Sequence, residues 1–177
     1  MRATFSQIRI PFQHVADRPM ISRQWSSFQQ LNCEELYEIL RIRQEIFTVE
    51  QHCAYQDADG LDSCALHLQA WESDFDRRRI VGYLRVLPPG SRFAEPSIGR
   101  LLVIPALRRS GLARDLMKEA VERIAALHPG MPVRISAQLY LQNFYASLGF
   151  TVISAVYDED GIPHLDMMRL PEEQLGT

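Results

Sequence analysis

Gly99 to Ile124 reads GRLLVIPALRRSGLARDLMKEAVERI. The apolar run from Ile98 to Ile104 has the length and content of a strand. Leu112, Leu116, Ala120, Val121, Ile124 and Leu127 then recur at helical spacing until His128-Pro129-Gly130 ends the pattern. A short basic loop with one glycine joins the two. A strand that enters a helix through so tight a loop aims unpaired N–H groups, and the positive end of the helix dipole, at one point. Arg108 and Arg109 add two guanidinium groups, Gly111 removes the Cβ that would keep a ligand off the backbone, and Ser110, Leu112 and Ala113 complete the first turn. The point suits an anion, and phosphate first among anions. A nucleoside-triphosphate loop is excluded because no Lys-Ser or Lys-Thr pair follows the glycine, and a dinucleotide fold because the three-glycine spacing is missing. The competing reading of this segment alone is an ordinary turn with a solvated basic tip.

Upstream, Asn32 can cap a helix, with Glu35 three residues on. Leu36, Ile39, Leu40, Arg43, Ile46 and Phe47 share one face of it. Arg43 on that apolar face either snorkels at the rim of the core or reaches into a site. Ala65–Trp71 alternates as a strand, SDFDRRR turns, and Ile80–Leu87 pairs back as a hairpin. Downstream, Pro132–Ala137 reads as a strand, and Leu139–Gly149 as a helix. Strands at Thr151–Tyr157 and His164–Leu170 flank an Asp160-Gly161 turn. The order helix, hairpin, strand, helix, strand, helix, hairpin describes an α/β domain around a mixed central sheet.

With 177 residues, 46% of them hydrophobic, the chain forms one domain with a proper core, Met20 to Thr177. Residues 1–19 lack a period and are read as an extension. A net charge of −3 gives no footprint for nucleic acid or a membrane surface. No apolar run is long enough to span a bilayer and no signal-peptide pattern opens the chain, so a cytoplasmic protein is expected. Cys33, Cys53 and Cys64 make no disulfide framework, which suits a reducing compartment.

RRSGLA resembles the Arg/Gln-x-x-Gly-x-Gly/Ala loop of the GNAT superfamily of acyl-CoA-dependent N-acyltransferases. FYASLGF, Phe144 to Phe150, is similar to the Phe-Tyr-x-x-x-Gly-Phe that ends that superfamily's last helix. The two stand in the right order on the right elements. VEQHCAYQDADGLD (Val49–Asp62), AQLYLQNFY and YDEDGIPHLDM (Tyr157–Met167) resemble the ElaA-like branch, and the likeness runs from Trp25 to Leu170.

The resemblance implies the GNAT fold, with helices on both faces of the sheet, and acetyl-CoA as co-substrate. It implies that Arg108, Arg109, Ser110, Gly111, Leu112 and Ala113 hold the pyrophosphate. The preceding strand is expected to bulge, so that the pantetheine arm pairs with backbone near Leu101, Leu102 and Val103. The Leu102 N–H is the expected donor to the thioester oxygen, a contribution usually large in acyl transfer. Tyr145 takes the place of the acid that protonates the departing thiolate. A thiolate of pKa about 8.5 needs modest help, and a tyrosine of about 10 supplies it. Where many relatives place an Asn against the pantetheine, this chain has Gln138. Dimerisation is common in the superfamily, and a homodimer is the expected assembly.

The amine must lose a proton, so a base or water chain is needed. Glu50 and His67 are the favoured bases, with Arg43 and Gln51 as positioning groups, and Asp57 and His164 on the acceptor side. The acidic loop suggests a cationic amine, either small-molecule or peptidyl. His52, Cys53, Asp57, Asp59, Asp62, Cys64 and His67 crowd one region, yet the spacing matches neither a zinc nor a calcium site, and no metal is expected. The expected activity is one-step acetyl transfer in a ternary complex. Two rivals stand beside it. One is an acyl-homoserine-lactone-synthase-like acyltransferase, whose front half resembles Arg43-x-x-x-Phe47 with spaced acids. The other is a non-catalytic acyl-CoA sensor.

Overall fold

The computed structural model describes residues 20–74 and 77–171. The 1–19 extension lies outside them. Eight strands form one sheet in the order β1-β2-β3-β4-β5-β8-β6, with β7 paired to β8. In chain order these are β1 (Met20–Ser27), α1 (Cys33–Arg43), β2 (Leu66–Asp74), β3 (Arg77–Leu87), β4 (Ser97–Val103), α2 (Leu112–Leu127), β5 (Val133–Gln138), α3 (Gln142–Ala146), β6 (Thr151–Val152), β7 (Tyr157–Glu159) and β8 (Ile162–Arg169). Every pairing is antiparallel except β4 with β5, so the sheet is mixed, as expected. Among the described residues no helix is long and apolar enough to cross a membrane.

The helices cover both faces. Asn32 caps α1 by accepting the Glu35 N–H at 2.9 Å, and Glu35 returns a bond to the Asn32 N–H. Ile39, Ile42 and Ile46 then pack on Trp71, Ile80, Tyr83 and Leu102 on one face of the sheet. On the other face α2 lays Leu112, Leu116, Met117, Ala120 and Ile124 against Leu68, Ala70, Val81 and Leu84. A Cβ on Gly82 would stand 3.0 Å from Leu116 Cδ1 and 3.1 Å from Leu112 Cδ2, so the glycine is what lets α2 come down onto β3.

Several expectations are corrected. β1 is an element the expected order lacks: MISRQWSS sits at the sheet edge with half of its side chains exposed and shows no clean alternation. SDFDRRR is not a seven-residue turn: β2 runs to Asp74 and β3 starts at Arg77. Leu127 is half exposed and Met117 fills the stripe in its place. The helix read over Leu139–Gly149 is a 3-10 turn, Leu139–Leu141, followed by the short α3. Thr151–Tyr157 is not one strand, for Ser154 breaks from the ladder and its Oγ accepts the Asp166 N–H at 2.8 Å. Asp160-Gly161 makes the expected turn, both residues at positive φ.

Candidate active site

A cleft of about 690 Å³ opens where β4 and β5 part. The two strands pair at Ser97↔Arg134 and then diverge, so among the described residues the edge of β4 beyond Gly99 has no strand neighbour on that side. On its β3 side, β4 carries a bulge. Between Tyr83↔Leu102 and Arg85↔Gly99, Leu84 faces both Arg100 and Leu101, and Arg100 takes φ 56°.

The register decides which backbone groups enter the cleft. Ile104 N–H donates to Val81 O at 3.0 Å, which marks a hydrogen-bonded pair. The next pair, Gly82↔Val103, is therefore a non-bonded one, whose Val103 N–H and C=O turn away from β3 toward the opening. Arg108 Nε donates to that Val103 carbonyl at 3.3 Å. The expectation that the Leu102 N–H faces the cleft is thus corrected by one residue: Leu102 pairs inward with Tyr83, and Val103 presents the donor.

At the end of β4 the basic loop curls into a cradle of N–H groups. Arg109 and Gly111 take φ 65° and 97°, curling the backbone before α2 begins at Leu112. Among the described residues the N–H groups of Gly111, Ala113 and Arg114 have no acceptor, and the Arg109 side chain has no partner. Arg108, Arg109, Gly111, Ala113 and Arg114 line the cleft, whereas Ser110 turns its Oγ to accept the Leu112 N–H at 3.3 Å, and the Leu112 side chain enters the core. These free donors fit a phosphate group.

Tyr145 lies beside the opening. It packs edge-on to Phe144 and Phe150 and is among the residues that line the cleft, and its hydroxyl has no hydrogen-bond partner among the described residues. Burial pushes that hydroxyl well above the ordinary tyrosine value of 10.0, so it holds its proton at neutral pH.

On β5 and β8 the two-residue period puts Ile135, Ala137, Leu165 and Met167 in the core under α2. Ser136, Gln138, His164 and Asp166 therefore face the α1 side. Ser136 Oγ bonds Tyr157 OH and donates to Glu159 Oε2 at 3.2 Å, and Tyr157 OH donates to Asp166 Oδ1 at 2.9 Å. His164 lines the cleft, stacked on Tyr157, with Nδ1 2.8 Å from the Ile162 carbonyl. A carbonyl can only accept, so Nδ1 carries a proton, and in the neutral ring the lone pair is on Nε2. Glu50 and Gln51 also line the cleft, at the end of a turn (Gln44–Glu50) that widens to π geometry after α1. Gln138 donates to Gln51 Oε1 at 3.2 Å.

Three predicted site residues lie elsewhere. Arg43 is 0% exposed; its Nε and Nη1 bond Asp57 Oδ2 and Asp62 Oδ1 at 2.8 and 2.7 Å. Asp57 also accepts from Arg100 Nε at 2.7 Å and from the Tyr55 hydroxyl at 2.8 Å. Arg85 completes the network on Asp59 and Asp62 at 2.7 and 2.8 Å. His67 is buried beneath it, with Nε2 donating to Asp62 O at 3.1 Å and Nδ1 accepting from Tyr83 OH at 2.7 Å. Both nitrogens of His67 are used, and burial holds its pKa below the ordinary 6.5. Arg43 and Asp57 therefore do not position an acceptor, and His67 does not reach the amine as a base. The acidic loop likewise offers an acceptor no net charge, because three guanidinium groups meet its three carboxylates. Burial works against the Asp59 and Asp62 carboxylates, yet the arginines hold both below the ordinary value, Asp59 well below it.

Arg85, Arg100, Tyr55, Ser136 and Glu159 line the cleft and escaped the sequence reading. Arg85 had a signal, being a lone arginine inside the apolar strand IVGYLRVL. Among the described residues no group of His, Cys, Asp and Glu is arranged for a metal ion.

An acetyltransferase (GNAT) domain matches residues 45–170. Over 152 residues, 85% of this chain and 97% of each relative, the sequence is 39% identical both to a UPF0039 protein of Synechocystis and to protein ElaA of Escherichia coli. A crystal structure of an acyl-CoA N-acyltransferase from Pseudomonas aeruginosa superposes with a TM-score of 0.78 at 38% identity, covering 85% of this chain and 99% of that one. Matched over most of its length in sequence and in shape, the chain belongs to the GNAT acetyltransferase family, on the branch that holds ElaA and the UPF0039 proteins.

Proposed function

We propose that the protein transfers an acetyl group from acetyl-CoA directly to a primary amine, with both substrates bound together. The observation that carries this reading is the split between β4 and β5. It leaves a strand edge for the pantetheine arm, ends in free N–H groups suited to a pyrophosphate, and joins the α2 face, where Tyr145 sits, to the α1 face, where His164 sits. The N–H groups of Gly111, Ala113 and Arg114, with the Arg109 guanidinium, hold the pyrophosphate. The Val103 N–H meets the thioester oxygen and stabilises the negative charge that grows there.

The amine nitrogen bonds to the thioester carbon and the carbon–sulfur bond breaks. The Tyr145 proton goes to the thiolate, and the amine proton goes to His164 Nε2, directly or through a water. His164 replaces His67 as the base in this reading, since it alone of the two reaches the cleft with a lone pair to spare. The acceptor is a small-molecule or peptidyl amine, and its ammonium cannot be drawn in by Asp57, Asp59 and Asp62, which are already neutralised.

Calorimetric titration with CoA and acetyl-CoA, on wild type and Gly111→Glu, tests the cradle. Micromolar binding that the variant loses supports it, and no binding by wild type overturns it. Tyr145→Phe then keeps CoA affinity within about two-fold, while CoA release with a panel of polyamines, amino acids and lysine peptides falls about ten-fold or more. Tight binding without turnover on any amine would instead make the protein an acyl-CoA sensor.

A further inference from the structure

Arg108 and Arg109 stand side by side in the cradle loop, yet only Arg109 is without a partner among the described residues. Arg108 Nη2 lies 2.6 and 2.7 Å from the two carboxylate oxygens of Glu50, and its Nε donates to Val103 O at 3.3 Å. Glu50 belongs to the widened turn on the α1 face, and Val103 is the residue whose backbone enters the split. The guanidinium is thus drawn from the acceptor face onto the edge of β4 along which the pantetheine arm would run. Beside it Gln51 accepts from Gln138 at 3.2 Å, so adjacent residues of one turn reach the two walls of the split.

We propose that Arg108 is shared between two anions, Glu50 in the empty protein and the pyrophosphate of acyl-CoA in the loaded one. Glu50 is then a positioning residue that acts through Arg108 and sets acyl-CoA affinity. A guanidinium fork takes carboxylate or phosphate oxygens in the same geometry, so one Nη2 cannot serve both. The Glu50–Arg108 pair is 38–44% exposed and weak enough to exchange, unlike the buried Arg43–Asp57 pair. Exchange leaves the Glu50 carboxylate uncompensated on the cleft wall, where it attracts the ammonium of the acceptor.

The inference rests on the acyl-CoA reading. The test is calorimetric titration of wild type, Glu50→Gln, Arg108→Gln and the double variant with CoA, each first shown by thermal melting to be folded. Glu50→Gln should tighten CoA binding about three-fold, the worth of an exposed ion pair of roughly 0.6 kcal/mol. In the Arg108→Gln background the same substitution should change nothing. Unchanged or weaker binding by Glu50→Gln overturns the exchange while leaving the acyl-CoA reading intact. Equal tightening with and without Arg108 also overturns it, because plain repulsion of the phosphates by Glu50 would then be the cause. If none of the four proteins binds CoA, the acyl-CoA reading falls and takes the exchange with it.

Discussion

Arg41 and Arg43 are two residues apart on one helix and do opposite things. Arg41 is 40% exposed and bonds Glu38 and Glu45 along the helix surface, while Arg43 is wholly buried and ties α1 to Asp57 and Asp62. The same contrast separates the arginines under the 51–64 loop from those of the cradle. Arg43, Arg85 and Arg100 have carboxylate partners and shape the protein. Arg109 has none among the described residues, and Arg108 has one it can give up. A guanidinium serves structure where burial forces it to be paired, and serves a ligand where its pairing is incomplete or exchangeable.

The sharpest way to break the comparison is Arg43→Met. It removes one of the two guanidinium partners of each of the buried Asp57 and Asp62 carboxylates and should cost about 3 kcal/mol in denaturant unfolding. A cost below about 1 kcal/mol would show that the network is not structural.

Acid should attack the same region in two stages. His67 titrates below the ordinary 6.5, and Asp59 and Asp62 below the ordinary 3.8. In both ranges the folded state binds fewer protons than the unfolded one, so stability is full above the ordinary histidine range. It declines as pH falls through that range and declines again below the carboxylate range. Melting temperature against pH should show both limbs, and Asp62→Asn should flatten the lower one. A profile level down to the carboxylate range would remove His67 from the account.

Arg41→Ala should lower stability by no more than about 0.5 kcal/mol, as exposed helix pairs do. A loss near that of Arg43→Met would erase the distinction between the two residues.

The cradle was legible because its chemistry is local. RRSGLA is one strand end and one helix start, and the donors it frees follow from helix geometry alone. Tyr145 was legible from its motif, and Arg43 from its place on an apolar face, although that face could not say whether the arginine was rim or core. His67 misled because a histidine on an alternating strand looks the same whether its face meets solvent, a site or a buried network.

The sequence by itself determined the α/β class, the basic loop between β4 and α2 and the turn at Asp160-Gly161, since each rests on spacing within a few residues. The tertiary structure alone decided that Val103 rather than Leu102 presents its N–H, because that depends on the parity of pairing with β3. It alone neutralised the acidic loop, by bringing Arg43, Arg85 and Arg100 from three separate elements onto three aspartates. It alone set Glu50 against Arg108 at the β4 wall of the split, 58 residues apart in the chain, because charges distant in sequence meet only once the sheet has formed.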